Sequence, residues 1–168
     1  LVGSEMCIRD SSKGYFSPYG NPQLKDGPEG EYLTDRLTDE VIRYISEPKE
    51  KPFFVYLSYY TVHLPLQAKA EKIAKYRRKL SRAVPADSSF VKKGETYHKL
   101  VQDIPAYAAM VESLDENIGR LLDTLHRSGL DERTIVVFTS DNGGMATSNT
   151  TRNIPVSYTH LRAHETRG

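Results

Sequence analysis

Asp141 and Asn142 stand side by side just beyond the apolar run Thr-Ile-Val-Val-Phe-Thr, 134 to 139, with only Ser140 between. Adjacent carboxylate and carboxamide oxygens are the donors that a hard cation such as Ca²⁺ takes. Gly143 and Gly144 follow, where the missing Cβ lets the backbone turn sharply and leaves room for a ligand. Asp-Asn-Gly-Gly is also good turn chemistry with no ligand at all. The second group of interest is His63, in Thr-Val-His-Leu-Pro. An imidazole there can donate to an anionic oxygen or act as an acid or base. Taken alone it reads as an ordinary loop histidine.

The elements that must position these groups follow from periodicity. Pro-Phe-Phe-Val-Tyr-Leu-Ser-Tyr, 52 to 59, and the run at 134 to 139 are short and almost continuously apolar, which suits strands buried on both faces of a parallel sheet. A helix is expected from about Thr34 to Glu47, with Leu33, Leu37, Val41, Tyr44 and Ile45 on one side of a 3.6-residue wheel. Thr34 or Thr38 is placed to cap its start, and Pro48 to end it. A longer helix is expected from Pro105 to His126, with Met110, Leu114, Ile118, Leu121, Leu122 and Leu125 on its apolar face and Gly129 as its stop. Residues 12 to 30, rich in Gly, Pro, Tyr and Asn, read as a surface loop. Helix, strand, helix, strand in that order argues for an α/β layered fold, its sheet mostly parallel and flanked by helices. In such sheets ligands sit beyond the carboxyl ends of the strands. The loops carrying His63 and Asp141-Asn142 should therefore open on one edge.

Other candidates carry less. Asp115 lies at the margin of the long helix's apolar face and Glu112 further toward solvent; both read as structural, Asp115 as a helix-to-loop acceptor. Residues 70 to 104 are basic and mixed, with Lys69, Lys72, Lys75, Arg77, Arg78, Lys79 and Arg82 clustered at their start, and read either as a solvated helix face plus a loop or as a patch that meets an anionic substrate. The net charge of +1 in 168 residues gives no reason to expect a nucleic acid or an anionic membrane as partner. No window approaches the roughly 20 apolar residues of a bilayer span, and no signal peptide is visible. One cysteine, Cys7, makes neither an internal disulfide nor a multi-cysteine metal site.

The ends differ in style from the middle. Residues 1 to 11 and 156 to 168 resemble peptides produced when sequencing-adapter DNA is translated at the edge of an assembled read. They are set aside as non-native, leaving 12 to 155 as the native part. Cys7 and the pair His160 and His164, whose i, i+4 spacing suits a helical metal site, then lose their interest.

Four blocks in order resemble the sulfatase family, a branch of the alkaline phosphatase superfamily. They are Asp-Gly-Pro-Glu-Gly-Glu-Tyr-Leu-Thr-Asp-Arg-Leu-Thr-Asp-Glu (26 to 40), the stretch from Pro52 through Thr-Val-His-Leu-Pro-Leu-Gln-Ala (52 to 68), Tyr-Ala-Ala-Met-Val-Glu-Ser-Leu-Asp-Glu-Asn-Ile-Gly (107 to 119) and Thr-Ile-Val-Val-Phe-Thr-Ser-Asp-Asn-Gly-Gly (134 to 144). The resemblance, closest to bacterial arylsulfatase-A-like enzymes, implies a partial alkaline-phosphatase-like fold and hydrolysis of a sulfate ester. It implies Ca²⁺ held in part by Asp141 and Asn142, and His63 in contact with the sulfate or leaving-group oxygen. It also implies a formylglycine nucleophile made from a Cys/Ser-x-Pro-x-Arg motif. That motif is absent here, as are the family's N-terminal Asp-Asp pair and the lysine that follows its Asp-Asn-Gly-Gly segment. The expectation is an internal fragment, inactive alone, of an exported or periplasmic enzyme acting on a sulfated small molecule or glycan. The alternatives are a phosphodiesterase or phosphonate hydrolase of the same superfamily, or a non-catalytic binding module. Oligomeric state is not readable.

Overall fold

The computed structural model describes residues 14–21, 24–48, 50–82, 90–93, 96–99 and 101–140. Three helices organise them: α1 (Leu33–Ser46), α2 (Ala70–Leu80) and α3 (Pro105–Arg127), with a short antiparallel hairpin, β1 (Phe90–Lys93) and β2 (Thr96–Lys99), between α2 and α3. A single 3-10 turn, Asp131–Arg133, follows α3. The long α3 is the centre of the arrangement, because both α1 and α2 pack on it.

Both expected long helices form within a residue of their expected ends. Pro105 opens α3, where its missing N–H costs no helical bond. Ser128 and Gly129 close it, with Gly129 at φ +63°. At the other end of α1 the chain leaves the helix at Glu47, whose ψ of 140° is the extended conformation that a following proline imposes. The cap of α1 differs from expectation. Tyr32 is the N-cap residue and makes no side-chain cap bond. Thr34 and Thr38 instead reach sideways: the hydroxyl of Thr34 meets that of Thr61 at 2.6 Å, and the hydroxyl of Thr38 meets the Tyr59 hydroxyl at 2.7 Å. Two threonines thus fasten α1 to the segment that leads into His63.

The segment at 14 to 30 is a surface loop only in its second half, where Lys25, Asp26, Pro28, Glu29 and Gly30 are exposed. Tyr15, Tyr19 and Leu24 are buried and join Tyr32, Leu33, Leu37, Ala68, Ala109 and Met110 in one cluster. A tyrosine can be buried at modest cost when its hydroxyl finds a partner. Here the Tyr19 hydroxyl meets Glu31, and the Tyr32 hydroxyl donates to the Gln67 carbonyl at 2.9 Å. Burial raises all three phenols above the ordinary 10.0, Tyr32 to about 12. Backbone stitching holds the segment against α1: Ser17 N–H donates to Glu31 O at 2.9 Å and Leu33 N–H to Tyr15 O at 2.8 Å.

The expected parallel sheet is not formed among the described residues; their only ladder is β1 with β2, in the register Phe90↔Lys99 to Lys93↔Thr96. That hairpin falls where a solvated helix face and loop were expected. Gly94-Glu95 between β-prone residues is a two-residue hairpin signal obscured by the surrounding charge. The run at 52 to 60 forms no regular strand, and burial alternates along 53 to 57, with Phe53, Val55 and Leu57 half-buried. Leu57 and Tyr59 pack against the core, while Phe54 and Tyr56 are exposed. Only one of its two faces is therefore covered, not both. The run at 134 to 140 is uncovered, with Ile135 at 92 % and Phe138 at 71 % exposure. Burial on both faces needs a sheet with helices packed on each face, and no sheet among the described residues includes this run.

Candidate functional site

His63 lies in a turn that follows the segment 52–60. Its backbone N–H donates to the Tyr60 carbonyl at 2.9 Å, closing the turn. The peptide bonds Thr61-Val62 and Leu64-Pro65 are both cis. Three groups hold this turn from beneath. The Tyr15 hydroxyl lies 2.9 Å from the carbonyl oxygens of both Tyr60 and His63. The Tyr60 ring packs on the imidazole with centroids 4.9 Å apart. Beyond Pro65, the Gln67 side-chain oxygen accepts from Tyr15 N–H at 2.8 Å. Gly14, at φ +83°, makes that approach possible, because a Cβ there would fall 2.0 Å from the same Gln67 oxygen.

The imidazole itself is exposed. Its Nδ1 lies 2.9 Å from the Leu64 carbonyl oxygen. A carbonyl only accepts, so Nδ1 carries the hydrogen and donates. Nε2 is then the nitrogen left for chemistry: a proton acceptor in the neutral ring, a second donor in the cation.

Asp141 and Asn142 lie outside the described residues, which end at Ser140 of this segment. The geometry between them and His63 is therefore not given by the structure. Among the described residues no cluster of three or more His, Cys, Asp or Glu side chains is set to hold a metal ion. Likewise among the described residues, no helix is long and apolar enough to cross a membrane.

The basic stretch divides in two. Lys69 pairs with Asp35 at 2.5 Å, Lys75 with Glu112 at 2.9 Å, and the mostly buried Lys72 with Glu116 and Glu112. These three fasten α2 to α1 and α3. The Lys75 ammonium, hydrogen-bonded to Glu112, holds that carboxyl below its ordinary range. Arg77, Arg78, Lys79 and Arg82 are exposed. Glu112 is thus structural as expected, whereas Asp115 is exposed and has no recorded partner among the described residues. The polar link expected of Asp115 is made two residues on by Asn117. Asn117 is 2 % exposed; its amide donates to Asp35 at 2.8 Å and to Ser113 O at 2.7 Å, and its oxygen accepts from Arg120 at 2.8 Å. An Asn in the middle of an apolar helix face was the available signal, since a buried carboxamide must find partners.

Comparison with known proteins places these features in context. The sulfatase family model matches residues 3–166. A sulfatase from Formosa agariphila is 32% identical over 163 residues, covering 80% of this chain and 26% of that protein. The uncharacterized sulfatase YdeN of Escherichia coli is 32% identical, covering 76% of this chain and 20% of its own length. The arylsulfatase of Klebsiella aerogenes is 27% identical over 69% of this chain and 31% of its own length. Among solved structures, Ps i-CgsB in complex with k-i-k-neocarrahexaose superposes with a TM-score of 0.50 at 31% identity, over 71% of this chain and 23% of that one. The chain therefore spans about a quarter of the length of the relatives it matches.

Proposed function

Because the chain belongs to the sulfatase family, we propose that it is one part of the catalytic domain of a sulfate ester hydrolase and acts within a longer protein. The reaction is R–O–SO₃⁻ plus water giving R–OH, sulfate and a proton. The observation that carries the reading is the turn at His63, where one ring nitrogen is committed to the backbone and the other is left at an exposed position. The departing alkoxide oxygen gains negative charge as the S–O bond breaks. In the protonated ring Nε2–H offsets that charge or delivers the proton, and the Nδ1 bond to Leu64 O spares the ring a reorientation cost.

Asp141 and Asn142 offer two hard oxygen donors, the right chemistry for Ca²⁺ but short of the usual 6 to 8 oxygens. Among the described residues no cluster of acidic or histidine side chains adds to them; this reading places the remaining ligands and the formylglycine nucleophile in other parts of the longer protein. Bound there, the cation would add positive charge against the sulfuryl oxygens. The substrate class is a sulfated glycan or sulfated small molecule. The glycan reading is supported by the likeness to a structure that holds a carrahexaose, an oligosaccharide. Family habit favours a periplasmic or exported protein.

The purified 168-residue chain is expected to show no turnover of nitrophenyl or nitrocatechol sulfate above background. The longer protein is expected to hydrolyse those esters in preference to the matching phosphate diesters. Turnover by the chain alone would remove the claim of incompleteness. A preference for the phosphate diesters would reassign the site to phosphoryl chemistry.

A further inference from the structure

Tyr15 makes three kinds of contact with the turn that carries His63. Its hydroxyl reaches the carbonyl oxygens of Tyr60 and His63, both at 2.9 Å. Its ring lies 5.5 Å from that of Tyr60, the residue whose own ring packs on the imidazole. Its backbone N–H donates to the Gln67 side chain on the far side of the turn. The residue is fully buried and stacks on Tyr32 at 5.8 Å, and the Tyr32 hydroxyl is tied to the Gln67 carbonyl. The turn is therefore gripped at both ends by groups anchored in the core.

The carbonyl of residue 63 is one bond from the Cα that bears the imidazole. Fixing it limits how far that Cα can shift or pivot. The packed Tyr60 ring and the Nδ1 bond to Leu64 O limit rotation of the ring itself. A hydroxyl is the only part of Tyr15 that a phenylalanine lacks, so the core packing and the grip are separable.

We infer that Tyr15 is a positioning residue: its hydroxyl, held on the carbonyl oxygens of Tyr60 and His63, fixes the turn so that Nε2 of His63 stays where an anionic oxygen is met. This rests on the proposed role of His63, but the grip itself is testable without catalysis. In the 168-residue chain, Tyr15→Phe is expected to raise amide hydrogen exchange at His63 at least tenfold and to shift and broaden the His63 imidazole resonances. Amides of α3 from Leu121 to Leu125 should exchange as before. Incorporating 4-aminophenylalanine at 15, which restores a donor, should return exchange to within about threefold of the parent chain. Gln67→Met attacks the same grip from the other side and is expected to give the same pattern; if Tyr15→Phe loses its helical circular dichroism, that variant decides. Unchanged exchange and unchanged imidazole signals at His63 in the folded variants would overturn the inference. Kinetics of His63→Ala in the longer, active protein separate the two ideas. A loss below tenfold there, while the Tyr15→Phe effect on exchange persists in the chain, refutes the role of His63 and leaves the grip standing.

Discussion

His63→Ala in the longer, active protein is expected to lower kcat/KM for a sulfate ester by about 100- to 1,000-fold, the usual cost of removing one donor to a developing oxyanion. The loss should lie mainly in kcat, because the charge on the leaving oxygen grows only in the transition state. His63→Gln keeps an N–H donor but cannot release a proton. It is expected to recover part of the loss with good leaving groups such as nitrophenol and little of it with an alcohol leaving group, which needs the proton. Steady-state kinetics with both substrate types checks this. A loss below tenfold for His63→Ala on either substrate would place the imidazole outside the reaction. The exposure of the ring argues that the substitution itself is tolerated, as no core contact is removed beyond the Tyr60 ring.

The second large effect is on stability and comes from the tyrosine-rich core. Burial raises the phenols of Tyr15, Tyr19 and Tyr32 above 10.0, that of Tyr32 to about 12. A group whose folded pKa is raised binds its proton more tightly in the folded chain. Its contribution to stability is complete below pH 10 and is lost above it, for Tyr32 as pH rises through about 12 and for Tyr15 and Tyr19 at higher pH. Each pH unit of such a gap is worth about 1.4 kcal/mol, and the three phenols share one buried cluster. Above pH 10 the chain is therefore expected to unfold cooperatively. Tyrosinate absorbance from the buried set should grow together with the loss of helical circular dichroism. Ionisation of all 11 tyrosines with the helix signal intact would contradict the packing described for residues 15 to 32.

How much of this was legible in the sequence differs by element. The spacing of Leu33, Leu37 and Ile45 places α1, and Pro105 with Gly129 brackets α3, because helices store their period and their ends in local sequence. The strands were not legible in the same way. Ile135 to Phe138 is apolar enough for a buried strand, yet burial depends on neighbours in space, and none is present among the described residues. The aromatic loop misled for a different reason. Gly, Pro and Asn mark it as irregular, which it is, but irregular backbone and surface position are separate properties. Tyr15 and Tyr19 are inside because each hydroxyl finds a carbonyl or carboxylate partner, which no periodic pattern records. Of the site, His63 was legible as a residue type after an apolar run. Its support by Tyr15, Tyr60 and Gln67 required the turn to be seen. Asp141 and Asn142 remain a reading of sequence and family, since they fall outside the described residues.

We propose that the imidazole of His63 and the oxygens of Asp141 and Asn142 share one rim, where a divalent cation and an anionic oxygen meet. Paramagnetic broadening by Mn²⁺, which accepts the same oxygen donors as Ca²⁺, tests that proximity in the chain as it stands and does not require tight binding. The Asp141 and Asn142 amides and the His63 imidazole are expected to broaden together at the same Mn²⁺ concentration, and excess Ca²⁺ to restore both. Broadening at Asp141 and Asn142 with a sharp His63 signal, or no selective broadening at either, would contradict it.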